Sequence, residues 1–261
     1  MIFLKTAEEI ELLRESNLLL GKTLAEVAKH IKPGVTTAQL DKIAHDFICD
    51  NGGTPSCLGY EDYPATLCTS VNEQVVHGIP SDKVVLKDGD IISVDTCVLK
   101  NGFHGDSAYT FPVGEVSDEI MKLLRTTKEC LMLGIEQAVT GRRLGDISSA
   151  IQTNAEKNGY QVVREFVGHG IGRAMHEEPE VPNYGRRGNG VMLKKGMVIA
   201  IEPMVMSGRR NIIIEDDGWT ARAADRRPAA HYELSVAINN GKADILSTFD
   251  FIKEVLKERF I

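Results

Sequence analysis

The sequence predicts an α+β protein in which helices come in pairs and strands follow in blocks, forming an antiparallel sheet. Three observations predict it. Gly34 precedes Asn51 by 17 positions and Gly141 precedes Asn158 by the same 17, so two helix–turn–helix segments share length and stop signals. The β-prone runs follow each helix pair instead of alternating with helices, which argues against a parallel βαβ design. Asn101-Gly102 stands between two β-prone runs, a strong hairpin signal because both residues accept positive φ in a type I′ turn.

The elements follow in order. Thr6 and Glu9 form a capping box that opens a helix. Ile10, Leu13, Leu18, Leu20, Leu24 and Val27 give it an apolar stripe out to about His30, where Lys32-Pro33-Gly34 stops it. A second box, Thr36 with Gln39, opens a helix that runs to Asn51-Gly52-Gly53. Downstream, a helix over about Ser117–Val139 precedes Thr140-Gly141, a shorter helix and Asn158-Gly159. Strands are expected at Val84–Leu86, Ile91–Leu99 and His104–Phe111 after the first pair. After the second they are expected at Gln161–Val167, Val198–Glu202, Ile212–Glu215 and His231–Ile238. The two segments repeat at an offset of 107. The chain therefore reads as one domain over 1–261, a pseudo-duplicate with halves of about 1–113 and 114–261; chance agreement of common stop signals is the alternative.

Composition narrows the function. The 261 residues are 43% hydrophobic and 26% charged, a globular mixture, and a chain of this length needs no disulfide staples. The net charge of −7 excludes the diffuse basic field of non-specific DNA binding. No apolar run reaches the roughly 18 residues of a membrane span, and the start lacks a basic n-region leading into an apolar stretch. The five cysteines (Cys49, Cys57, Cys68, Cys97, Cys130) form no C-x-x-C pair and read as free thiols in a reducing compartment.

Chemistry begins at the hairpin. With Asn101-Gly102 as its loop, Lys100 pairs with Phe103 and Cys97 with Asp106, so Asp95 shares a face with Asp106. Diagonal positions of this kind lie about 7–8 Å apart. Leu99 and Ala108 share the face and make it half-buried, so two ionised carboxylates there repel and lose hydration unless a cation intervenes. The alternative is a solvated face with two surface aspartates.

A second cluster follows at Gly168-His169-Gly170-Ile171-Gly172, with His176-Glu177 behind it. Three glycines in five residues oppose a helix, so the histidines are not an i, i+4 zinc pair. Seven residues apart on an extended path, they are expected to face differently and do different work. Glu202 closes the apolar strand Val198–Ile201, and Pro203 ends the pairing after it. Glu233 lies in His231–Ile238, on the face opposite Leu234, Val236 and Ile238. Asp95, Asp106, Glu202 and Glu233 carry four negative charges, which two divalent cations neutralise. With His169 as a nitrogen donor, the set suits Mn, Fe, Co or Zn. Two such ions about 3.5–4 Å apart acidify a bridging water and polarise a carbonyl.

At these residues the sequence resembles the type I methionine aminopeptidases over nearly its whole length. The resemblance rests on Val71–Pro80, Val94-Asp95 with Gly105-Asp106, Gly168–Gly172 with His176-Glu177, Ile201-Glu202-Pro203 and Tyr232-Glu233. It implies the short bacterial form, with a pseudo-two-fold "pita-bread" fold and a dinuclear metal centre. By position, Asp95 would chelate one metal and His169 with Glu202 the other, while Asp106 and Glu233 would bridge. A metal-activated hydroxide would attack the peptide carbonyl, with Glu202 as general base and acid. His77 and His176 would contact the substrate or stabilise the tetrahedral intermediate. Cys57, Tyr60, Tyr63, Cys68 and Trp219 would form the methionine pocket, with Met175 in its wall. The implied reaction removes initiator methionine from chains whose second residue is small and uncharged. The implied partners are N-terminal Met peptides and nascent polypeptides, with the ribosome as a transient contact. No DNA and no membrane are implied, and the protein would be a cytoplasmic monomer.

Three positions depart from the family's usual residues: Met175 for Phe, Leu234 for His and His231 for Gln. Two other readings stay open, a proline-site hydrolase of the same fold and a non-catalytic binding protein that kept the scaffold.

Overall fold

A computed structural model describes residues 1–261. The first helix, α1 (Ala7–His30), starts at the expected capping box, with Thr6 Oγ1 accepting from Glu9 N–H and the Glu9 carboxylate accepting from Thr6 N–H. Helix α2 (Thr37–Asp50) starts at the reciprocal pair of Thr36 and Gln39. Strands β1 (Thr54–Pro55), β2 (Cys68–Val71) and β3 (Gln74–Val76) precede the hairpin β4 (Ile91–Lys100) and β5 (Phe103–Pro112). Then come α3 (Asp118–Gln137) and α4 (Leu144–Lys157). The remaining strands are β6 (Gln161–Val162), β7 (Gly168–Gly170), β8 (Glu177–Val181), β9 (Val198–Ile201), β10 (Met204–Met206), β11 (Ile212–Ile214), β12 (Ala221–Ala223), β13 (Ala229–His231), β14 (Glu233–Ala237) and β15 (Asp244–Ile245). A short helix, α5 (Asp250–Leu256), follows.

Helices α2 and α4 have the same bounds at the offset of 107. The glycines that flank them match as well: Gly34 and Gly141 have φ of 91° and 90°, and Gly52 and Gly159 have 71° and 86°. These are left-handed positions that a side chain would strain.

Nine strands form the main antiparallel sheet, in the order β1-β4-β5-β14-β9-β7-β8, with β2 also on β4 and β15 on β14. The helices cover one face of it, and Leu20, Leu24, Leu40, Val94, Tyr109, Leu131, Ile151, Ile199 and Tyr232 belong to the largest apolar core. At Gly105 α1 lies directly on the hairpin: a Cβ there would stand 2.8 Å from Asn17 N. Overpacking of that kind costs about 1–3 kcal/mol. Ser16 Oγ donates to Phe103 C=O at 2.9 Å, which fixes the helix over the strand carrying Asp106.

Several strands differ from expectation. Val84–Leu86 forms no ladder strand, because its backbone is used by the α1–α2 turn: Gly34 and Thr37 N–H donate to Leu86 and Val84 C=O at 2.8 and 3.0 Å. The run Gln161–Val167 pairs only at Gln161–Val162, and pairing resumes at Gly168. The expected strand His231–Ile238 is broken at Tyr232. Strand β13 pairs with β10 in a three-stranded sheet, whereas β14 pairs with β9 in the main one. Pro203 divides β9 from β10 in the same way, so both chains change sheets side by side. That shared break carries Glu202 and Glu233.

Candidate active site

The hairpin register is the expected one: Lys100 pairs with Phe103, Cys97 with Asp106 and Asp95 with Ala108. Ala108 also pairs with Glu233, and Asp95 with Cys68. Residues opposite one another across a ladder share a face. Cys68, Asp95, Ala108 and Glu233 therefore form one lateral row, with Asp106 two residues along from Ala108. Leu234 pairs with Ile201, so Glu233 stands opposite Glu202 at the sheet change. The small Ala108 leaves open the space above the row.

Every candidate site residue from the sequence lines one cavity of about 600 Å³. Within it, donor atoms of Asp106, His169 and Glu233 all lie within 4.8 Å of one another, close enough for one cation. His169 Nε2 is 3.6 Å from Asp106 Oδ2 and 3.7 Å from Glu202 Oε1. Its Nδ1 is 2.9 Å from Gly170 C=O. A proton held there leaves the Nε2 lone pair facing the carboxylates. Asp95 and Glu202 line the same cavity beside this trio.

Asp106, Glu202 and Glu233 meet histidines, and none of the four carboxylates meets a lysine or arginine. Burial first, then the charge of Asp106, pushes Asp95 well above the usual carboxylate range. The same causes raise Glu202 and Glu233. Asp106 Oδ1 and Glu233 Oε1 are buried with no hydrogen-bond partner. Buried, unpaired oxygens on converging carboxylates are costly without a cation. A divalent metal fits this donor set, which is all oxygen apart from one imidazole.

His169 and His176 do not face apart, contrary to the sequence expectation. The turn at Gly172 folds the chain back, and the two rings meet edge to face with centres 4.3 Å apart. His176 Nδ1 lies 2.8 Å from Tyr60 Oη. Desolvation, then the neighbouring His169, pushes His176 down to about 4. His77 has a φ of 60°, a left-handed conformation for a residue with a side chain. Its ring packs against Phe166 and Trp219, at 5.0 and 6.2 Å. Burial lowers its pKa too.

Next to the carboxylates, Cys57, Tyr63, Cys68, Cys97 and Met175 form a small apolar cluster, with Tyr60 and Trp219 packed on it. Tyr63 meets Trp219 edge to face at 5.1 Å, and its hydroxyl donates to Leu67 C=O at 2.9 Å. Four of the five cysteines are buried and all are free.

The model of metallopeptidase family M24 matches residues 11–238. The methionine aminopeptidase of Clostridium perfringens is 52% identical over 95% of this chain and 99% of its own length. Methionine aminopeptidase 1 of Bacillus subtilis is 48% identical over the same shares. The crystal structure of methionine aminopeptidase from Rickettsia prowazekii superposes with a TM-score of 0.93 at 39% identity, covering 95% of this chain and all of that one. The chain belongs to the methionine aminopeptidases of metallopeptidase family M24. Prolidase from Pyrococcus furiosus, 22% identical with a TM-score of 0.75 over 94% of this chain and 65% of its own, shares the fold. That fold is the α+β pita-bread architecture, and the chain is a hydrolase. No helix is long and apolar enough to cross a membrane.

Within this aminopeptidase the three departures fall in different places. Leu234 joins the main core and Met175 the apolar cluster. His231 is fully buried, with Nε2 3.9 Å from Glu202 Oε2 and 4.0 Å from Glu233 Oε2. Sequence reasoning gave no role to Cys97, whose thiol donates to Asp106 Oδ2 at 2.8 Å. The hairpin register already placed it opposite Asp106. Phe166 was hidden inside what read as a core strand.

The raised acids set a pH trend in the metal-free protein. Between their unfolded and folded pKa values, Asp95, Glu202 and Glu233 are protonated when folded and ionised when unfolded. Stability therefore falls as pH rises through that window. The lowered histidines act oppositely, losing stability as pH falls below their ordinary 6.5. Above pH 6.5 the histidines' contribution fades, while the raised acids oppose it throughout their window. The drop in melting temperature on adding a chelator is expected to be larger at pH 8 than at pH 6.5; an equal or smaller drop at pH 8 would contradict this.

Proposed function

We propose that this chain removes the initiator methionine from new polypeptides whose second residue is small and uncharged. The convergence of two buried carboxylates (Asp106, Glu233), two half-buried ones (Asp95, Glu202) and His169 beside a sulfur- and aromatic-lined pocket carries the reading. In it, Asp95 would hold one divalent ion, His169 and Glu202 would hold the other, and Asp106 and Glu233 would serve both. Bound there, such ions supply Lewis-acid polarisation of the scissile carbonyl and lower the pKa of water.

The protein's own groups do the rest. Glu202 stands at a strand tip, where its carboxylate takes a proton from the attacking water and returns it to the leaving amine. His176 is neutral at pH 7, and a Tyr60 O–H donated to its Nδ1 leaves Nε2–H free to donate to the carbonyl oxygen. His77 lines the same cavity, where Phe166 and Trp219 fix its ring. A donor aimed at developing negative charge is worth about 2.7–4 kcal/mol. The methionine side chain fills the pocket of Cys57, Tyr60, Tyr63, Cys68, Met175 and Trp219. The large polarisable sulfur suits such aromatic surroundings.

The test is methionine release from Met-Ala, Leu-Ala and X-Pro peptides in the presence of Mn, Co, Fe or Zn. Fast metal-dependent turnover of Met-Ala alone is expected. No turnover with any metal would reject the activity, and equal turnover of Leu-Ala or X-Pro would reject the specificity.

A further inference from the structure

The segment ahead of α1 is tied to the active-site wall by an ion pair that none of the roles above uses. Lys5 Nζ meets Glu177 Oε2 at 2.5 Å, and both side chains are less than a tenth exposed. The Lys5 backbone N–H donates to Gly196 C=O at 2.7 Å, which fastens the same segment to the turn leading into β9. Glu177 Oε1 accepts from Ala174 N–H at 3.3 Å. Gly172 N–H in turn donates to Ala174 C=O at 3.1 Å. The arrangement leaves no spare room, because a Cβ on Gly172 would stand 2.4 Å from Glu177 Oε1 and 2.5 Å from Lys5 Nζ. Outside it, the Arg173 guanidinium lies 4.3 Å from the Phe103 ring centre and pairs with Glu9 at 3.2 Å. The Gly172–Glu177 turn held in this way carries both Met175 and His176.

We propose that Lys5 is a positioning residue for the reaction: acting through Glu177, it holds the Gly172–Glu177 turn and so sets the place of the His176 ring over the cavity. The proposal rests on the reading of His176 as the donor to the carbonyl oxygen. A buried carboxylate that loses its only cation is strongly disfavoured. Glu177 borders both the catalytic cavity and the outer groove beside Met1, Phe3 and Leu4. Without Lys5 its carboxylate turns outward to water and takes the adjacent His176 with it. A displacement of about 1 Å in a catalytic group costs up to about 100-fold in rate.

The test compares full-length, metal-loaded wild type with K5M, E177Q and K5M/E177Q. The remote cap variant T36A serves as a control for stability alone. K5M is expected to lose about 10–100-fold in kcat on a Met-Ala peptide. Its KM and its Mn affinity by calorimetry are expected to stay near wild type. K5M/E177Q, with no orphaned charge and the Ala174 bond kept, is expected to recover most of the loss, and T36A to leave kcat unchanged. In crystals of K5M the His176 ring is expected to leave its contact with His169, a readout independent of turnover. The proposal is overturned by K5M turnover within twofold of wild type, by an unmoved His176 ring, or by a double variant as slow as K5M. If K5M does not fold, E177Q and the double variant decide: the double variant should be the faster of the two, and the reverse order overturns the proposal. Wild-type protein that releases no methionine overturns the functional reading instead, and the position of the ring in K5M still tests the ion pair.

Discussion

Asp106→Ala is expected to empty the metal centre and remove turnover while leaving the fold intact. Asp106 is 4% exposed, and its Oδ2 lies within reach of His169 and of the Cys97 thiol. It belongs to the one trio of donors close enough to hold a single ion. Loss of a residue that merely orients a ligand costs about 10–100-fold in metal affinity or activity, so loss of a bridging ligand should exceed about 100-fold. The variant makes a second, opposite-signed forecast. Asp106 is a cause of the raised pKa of Asp95, Glu202 and Glu233. Its removal relieves that repulsion, so metal-free Asp106→Ala should melt above metal-free wild type at pH 7.5, and added manganese should no longer raise its melting temperature. Metal content by elemental analysis and melting curves with and without manganese check both. Undiminished metal content would refute the bridging role.

Glu202→Gln, assayed at saturating manganese because Glu202 is also a ligand in this reading, separates proton transfer from shape. The amide keeps the length of the side chain and one oxygen, yet it cannot accept the water's proton. A positioned general base contributes about 10²–10⁴-fold, and kcat is expected to fall by that amount with KM little changed. Steady-state rates on Met-Ala peptides check it. A kcat within tenfold of wild type would place the base elsewhere. A rise in KM at constant kcat would make Glu202 a binding group only.

How much of this was legible in the sequence depends on how local each signal was. Thr6 with Glu9 and Thr36 with Gln39 set their helices from four adjacent residues, and Asn101-Gly102 set a ten-pair register by itself. From that register the common face of Asp95 and Asp106 followed directly. The exchange of sheets at Pro203 and Tyr232 did not, because Tyr232 has the β propensity of its neighbours. Its N–H donates back to Pro203 C=O at 3.4 Å only because the two breaks lie side by side. The meeting of His169 and His176 likewise needs the Gly172 turn, whose shape is fixed by Lys5 from the far end of the chain. Val84–Leu86 had a strand's composition but gave its hydrogen bonds to a helix connection. Helix α5, with seven residues and no side-chain cap, offered no start signal to read.

The most direct measurement is an anomalous difference map from a crystal of the wild-type protein grown with manganese. Two peaks about 3.5–4 Å apart are expected, each within bonding distance of Asp106 and Glu233, with Asp95 on one and His169 and Glu202 on the other. A single peak, or a pair lying outside the ring of these five side chains, would contradict a dinuclear centre built by them.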